Sequence, residues 1–203
     1  MTTHAPSFKA VLATTLGLAL ISTTNLGGAS HGEPQIRWQQ TRNDTNGYTI
    51  TPERRALLNT IRFAEGTWKQ GQEGYHTLYG GGRFGSLASH PDIVVRKRYS
   101  SAAAGAYQFL PITWREAANK LQLRSFNPDS QDQAALYLVD RRGVLKLVDR
   151  MGLTREAMAV LAREWASFPS LSGSSAYGQP VKKAEELASF YEANLRSLRA
   201  EAA

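Results

Sequence analysis

Cysteine is absent from the 203-residue chain, which excludes disulfides, thiolate nucleophiles and zinc–thiolate sites. Histidine is scarce. The four present (His4, His31, His76, His90) show no ligand spacing such as a helical i, i+4 pair, so no metal centre is expected. No apolar run reaches the about 20 residues of a confident membrane span. Runs of Lys or Arg interleaved with aromatics are missing, as are helix-turn-helix and RNA-binding signatures, so nucleic acid is a poor partner. Internal repeats and low-complexity tracts are missing too.

What is present is a basic chain, +7 with a pI near 9.8, which favours polyanions: nucleic acid, anionic lipid or an acidic cell-wall polymer. An apolar content of 42% with 20% charged residues supports one ordinary domain plus an appendage.

Residues 1–30 read as an export signal. Lys9 supplies a positive start, Ala10 to Ile21 is mostly apolar, and Gly27-Gly28-Ala29-Ser30 offers small residues for cleavage. A retained, weak N-terminal anchor is the alternative. Residues 31–50 are polar and without period, a linker or loosely held arm, so the folded domain, 51–203, is expected to begin near Thr51.

The stretch Leu57 to Thr67 organises the rest. Thr51-Pro52 signals a helix start, because Thr can cap and Pro suits the first helical position. Leu57, Leu58, Ile61 and Ala64 form one apolar face, and Gly66 ends the helix. Glu65 thus falls at the helix C-terminus, where it shares the negative end of the dipole. With apolar neighbours, that position raises a carboxyl above its free value of about 4.3 and makes a general acid of it. An ordinary solvated Glu near a helix end is the competing reading.

From Gly66 to about Ala106 no helical period appears. Gly71, Gly74, Gly80, Gly81, Gly82 and Gly85 punctuate the stretch, and Tyr75 to Tyr79 and Ile93 to Val95 are candidate short strands. Trp68, Tyr75, Tyr79, Phe84 and Tyr99 argue for order, either as a β-hairpin region flanking a cleft or as a surface flap with its own aromatic cluster. Ala102 to Gln108 combines small residues with Tyr107 and Gln108. It reads either as a close backbone approach to a ligand or as a tightly packed helix start. Helices are then predicted from Pro111 to Leu121, from Pro128 to Gly143, from Val144 to Met151, from Arg155 to Ala166 and from Pro180 to about Leu198. An irregular loop, Phe168 to Gly178, precedes the last of them.

Four pieces in order, Phe63-Ala64-Glu65-Gly66-Thr67, Gly105-Ala106-Tyr107-Gln108, Trp165-Ala166-Ser167 and Tyr177-Gly178-Gln179, resemble the lambda-phage endolysin family of peptidoglycan-cleaving enzymes. The likeness runs from about Leu57 to Asn194. It implies a lysozyme-like α+β fold, mainly helical with a small β-hairpin flap flanking the cleft, and peptidoglycan glycan strands as the partner. It also implies that the family's sole catalytic acid falls on Glu65, and that Tyr107, Gln108, Tyr177 and Gln179 are substrate-binding residues. Family members are lytic transglycosylases, which cut between N-acetylmuramic acid and N-acetylglucosamine and leave a 1,6-anhydro end. No metal or organic cofactor is needed, and a monomer is expected.

The sequence departs from the family pattern in three places. A Trp-Ser pair precedes the family's glutamate, where this chain has Phe63-Ala64, so the ring is kept and the hydroxyl lost. The loop Pro169 to Ala176 is longer, and the export signal is absent from the phage prototype. Three other readings remain: a true hydrolytic muramidase using water with Glu73 or Asp92 as second carboxyl, a non-catalytic cell-wall binding module, and a basic nucleic-acid binder.

Overall fold

The computed structural model describes residues 47–175 and 181–202. The expected export signal, most of the linker, and both Tyr177 and Gln179 lie outside the described residues. The end of the linker belongs to the domain: the Tyr48 backbone exchanges hydrogen bonds with the Gln133 side chain, its hydroxyl donates to Asp140, and Ile50 packs on the core. The folded unit therefore starts before Thr51.

Helix α1, Pro52–Ala64, forms as its caps require: the Thr51 hydroxyl accepts from the Arg54 amide, and Pro52 occupies the first turn. Its fully buried Ala56, Leu57, Leu58 and Ile61 face the core, and the long last helix packs along it. Each such leucine contributes about 1.5–3 kcal/mol through burial. The helix ends at Glu65, whose amide returns to Ile61 O at 2.9 Å. Gly66 then turns the chain away at φ +78°, a conformation that suits glycine.

The flap has less strand than its composition predicts. Residues Trp68–His76 form 3₁₀ turns broken at Gly71, so Tyr75 and His76 are not in a strand. The cause is tertiary: the Tyr75 ring is drawn inward, and its hydroxyl donates to buried Asp132 at 2.8 Å. Thr77 and Leu78 make only isolated bridges, to Arg83 and Ala104. The antiparallel sheet among the described residues is a hairpin of β1, Val95–Arg96, and β2, Ser100–Ser101, with Val95 opposite Ser101 and Arg96 opposite Ser100. Ile93 and Val94 stay outside it, exposed, with no buried face to hold them in register.

The segment around Tyr107 is a tight turn and not a helix start. Ala104 and Phe109 exchange both backbone hydrogen bonds around it, and Gly105 and Gln108 adopt positive φ. A Cβ at Gly105 would collide with Gln131 and Phe126. Five helices follow among the described residues: α2, Pro111–Leu121; α3, Pro128–Arg141; α4, Leu145–Met151; α5, Arg155–Leu161; and α6, Ala184–Glu201. Asn127 caps α3 through Ser130 N, and Thr154 caps α5 through Ala157 N. The fifth helix stops at Leu161, short of the expected Ala166, because the chain turns so that the Trp165 indole can donate to Tyr107 O at 3.0 Å. The α+β expectation of a mainly helical domain with a small hairpin holds.

Candidate active site

The site is built at the C-terminus of α1. Thr67, fully buried, donates from Oγ1 to Ala106 O at 2.6 Å and so ties that helix end to the Gly105–Gln108 turn. The turn is held from the other side by Gln131 of α3. Its Oε1 accepts from Ala106 N, and its Nε2 donates to the carbonyls of Tyr75 and Phe126. A buried polar side chain with every group matched in this way fixes geometry, since leaving one unpaired costs about 1–3 kcal/mol.

Glu65 sits on this frame with its carboxyl only partly accessible. Ser167 donates from its hydroxyl to Glu65 Oε1 at 2.6 Å. Burial pushes the carboxyl up to about 7, while the Ser167 bond, which favours the ionised form, pulls it down. Desolvation is thus the main cause of the raised value that the sequence reading attributed to apolar neighbours and the helix dipole. A group near 7 is divided between acid and base at neutral pH, as general catalysis wants. A cavity of 710 Å³ opens beside it, lined by Ala64, Ser167, Val181, Lys182, Lys183 and Glu186.

The other expected site residues divide. Tyr107 is not on the cavity wall. Its side chain is fully buried, its hydroxyl donates to Asp132 at 2.6 Å, and Asp132 also accepts from Tyr75 and Arg55. The buried Asp132 cluster needs that phenol as a donor, so Tyr107 is framework. Gln108 is half-buried. Its amide nitrogen donates to Thr77 O and Gly105 O, which leaves its carbonyl oxygen without a protein donor among the described residues. Glu73 and Asp92 are exposed and pair with Arg83 and Arg115, and neither lines the cavity.

Three groups escaped the sequence reading. Ser167 lies within a quoted motif, but nothing local shows that it meets Glu65. Lys182 and Glu186 pair at 2.9 Å across the first turn of α6, a spacing that reads as an ordinary solvated helix pair. Lys182 also lies 4.6 Å above the Phe63 ring, which stacks on Phe190 at 4.1 Å.

A helical domain with a small hairpin and one desolvated carboxyl at a helix end, next to a cavity, is the arrangement of a lysozyme-like glycosidase, and the relatives agree. The sequence model of the endolysin family matches residues 55–197, and the chain belongs to that family, whose activity is peptidoglycan degradation. It is 35% identical to the endolysin of Escherichia phage lambda over 151 residues, 71% of this chain and 92% of the relative. With the endolysin of Escherichia phage P2 it shares 30% identity over 147 residues, 65% of this chain and 86% of that one. Among solved structures it is similar to bacteriophage lambda lysozyme complexed with a chitohexasaccharide, at a TM-score of 0.66 and 32% identity, covering 72% of this chain and 96% of that one. A second lambda lysozyme structure aligns at a TM-score of 0.61 and 29% identity, over 74% of this chain and 96% of that one.

Proposed function

We propose that the protein is a lytic transglycosylase that cleaves the β-1,4 bond between N-acetylmuramic acid and N-acetylglucosamine, with Glu65 as both acid and base. The observation that carries this reading is the single carboxyl pushed to about 7 beside the cavity. Protonated Glu65 gives its proton to the leaving glycosidic oxygen. As a carboxylate it then takes the proton of the muramic 6-hydroxyl while that oxygen closes on C1, so the 1,6-anhydro ring forms without water. The Ser167 hydroxyl holds the carboxyl and shares its charge in the second step, and the Gln108 carbonyl oxygen, which has no protein donor among the described residues, is available to a sugar hydroxyl. The chitohexasaccharide held by a similar lysozyme supports a β-1,4 glycan as ligand.

One observation favours hydrolysis as the second reading. Glu186 lines the same cavity as Ser167 and would be the base for an attacking water, a role for which Glu73 and Asp92 are poorly placed. Digestion of purified peptidoglycan followed by mass spectrometry separates the two. Products one water lighter than hydrolytic fragments, with no reducing muramic end, are expected, and Glu65→Gln should lower their release by about 10²-fold or more. Reducing ends, lost again in Glu186→Gln, would establish the hydrolase. We further propose that residues 1–30 act as an export segment, supported by Lys9, the apolar run to Ile21 and the small residues at 27–30. The N-terminal sequence of the exported protein is its test.

A further inference from the structure

Bond cleavage leaves two charges beside Glu65 without a task. The 710 Å³ cavity and a neighbouring one of 250 Å³ share Lys182 and Glu186 as common wall, and the smaller adds Phe63, Gly66, Trp68 and Lys69. Of the three lysines, Lys182 has an acidic partner in Glu186, so that pair is neutral overall. Lys69 and Lys183 are exposed, and among the described residues neither side chain has an ion-pair or hydrogen-bond partner. Phe63 and Trp68 make the apolar part of the wall, and both pack on Phe190 behind it, Phe63 stacked at 4.1 Å and Trp68 edge-on at 5.7 Å.

A neutral sugar chain can accept hydrogen bonds from ammonium groups but offers them no counter-charge. Carboxylates on a short, partly aliphatic chain do, and the aliphatic part covers the aromatic wall. Peptidoglycan carries such a chain: the peptide stem attached to the lactyl group of each muramic residue, next to the bond that is cut. We propose that these two cavities form a subsite for the peptide stem, with Lys69 and Lys183 pairing with its carboxylates and Phe63 and Trp68 contacting its aliphatic part. The inference rests on the glycan-cleaving reading above.

The test compares soluble glycan strands that carry peptide stems with the same strands stripped of them by an amidase. The wild type should favour stem-bearing strands by about fivefold in kcat/KM at low salt, the size of one or two partly exposed ion pairs. The preference should shrink as salt rises. Lys69→Met with Lys183→Met should bring the ratio near one, and Lys69→Arg with Lys183→Arg should keep it. A role in glycan binding or folding alone would lower both rates together and leave the ratio intact. A wild-type ratio near one at low salt, or a preference that survives the double Met substitution, overturns the stem site while glycan cleavage stands. Release of no product from either strand by the wild type would remove the glycan-cleaving reading and the stem site with it.

Discussion

Ser167 donates a hydrogen bond to Glu65 at 2.6 Å, joining residues 102 positions apart. Ser167 and Ala64, the residue before Glu65, both line the neighbouring cavity, so the bond holds the carboxyl at its edge.

Replacing Ser167 by Ala tests that role. The bond favours the carboxylate, so its loss should raise Glu65 further above about 7. A hydrogen bond to a charged group contributes about 1.5–3 kcal/mol, so a rise of about one to two pH units is expected. The limb of the pH–rate profile set by Glu65 should move upward by that amount, and Ser167→Thr should restore it. A limb that stays in place, with activity merely scaled down, would show that Ser167 acts on packing and not on the carboxyl.

Glu65→Gln should stabilise the fold at alkaline pH as it removes activity. The sign follows from the raised folded value. In the unfolded chain Glu65 titrates near 4.5, and in the fold near 7. Its favourable contribution is complete below about 4.5 and is lost as pH rises through about 7, because folding then buries a charge. The full difference corresponds to about 3 kcal/mol, and partial accessibility screens it to roughly 1–3 kcal/mol. Urea unfolding at pH 8 should show the Gln variant more stable by that amount, and at pH 4 the two proteins should agree. Equal stability at both pH values would mean that the carboxyl is not desolvated.

The helix that carries Glu65 is legible in the sequence because its signals are local: Thr51-Pro52 opens it, Leu57, Leu58 and Ile61 orient it, and Gly66 ends it. The starts of α3 and α5 are legible for the same reason, since Asn127 and Thr154 cap within three residues of themselves. Features set by distant partners are not. Tyr75 looks like a strand residue and Tyr107 like a ligand contact until Asp132, on a helix much later in the chain, claims both hydroxyls. Nothing near Trp165 shows why α5 ends early, because the reason is the Tyr107 carbonyl. That a carboxyl at the end of this helix is raised could be read from sequence, whereas its hydrogen-bond donor and the lysines lining the neighbouring cavities needed the fold.

Tyr107→Phe decides whether that phenol is framework or substrate contact. Its hydroxyl is one of three donors on Asp132, with Tyr75 at 2.8 Å and Arg55 at 2.5 Å, and its ring is wholly enclosed. Removing it leaves the carboxylate two donors and should cost about 1.5–3 kcal/mol, the range for a hydrogen bond to a charged group. In a domain of this size that lowers Tm by roughly 3–12 °C. Because the Ala106 amide and the Tyr107 carbonyl remain tied to Gln131 and Trp165, the turn should keep its shape, and KM for glycan strands should change by less than about twofold. A phenol that bound sugar would give the opposite result: an unchanged Tm with KM raised about tenfold or more, the loss of one polar contact to substrate. Thermal unfolding and steady-state kinetics on the one variant are therefore enough, because the two roles move different quantities.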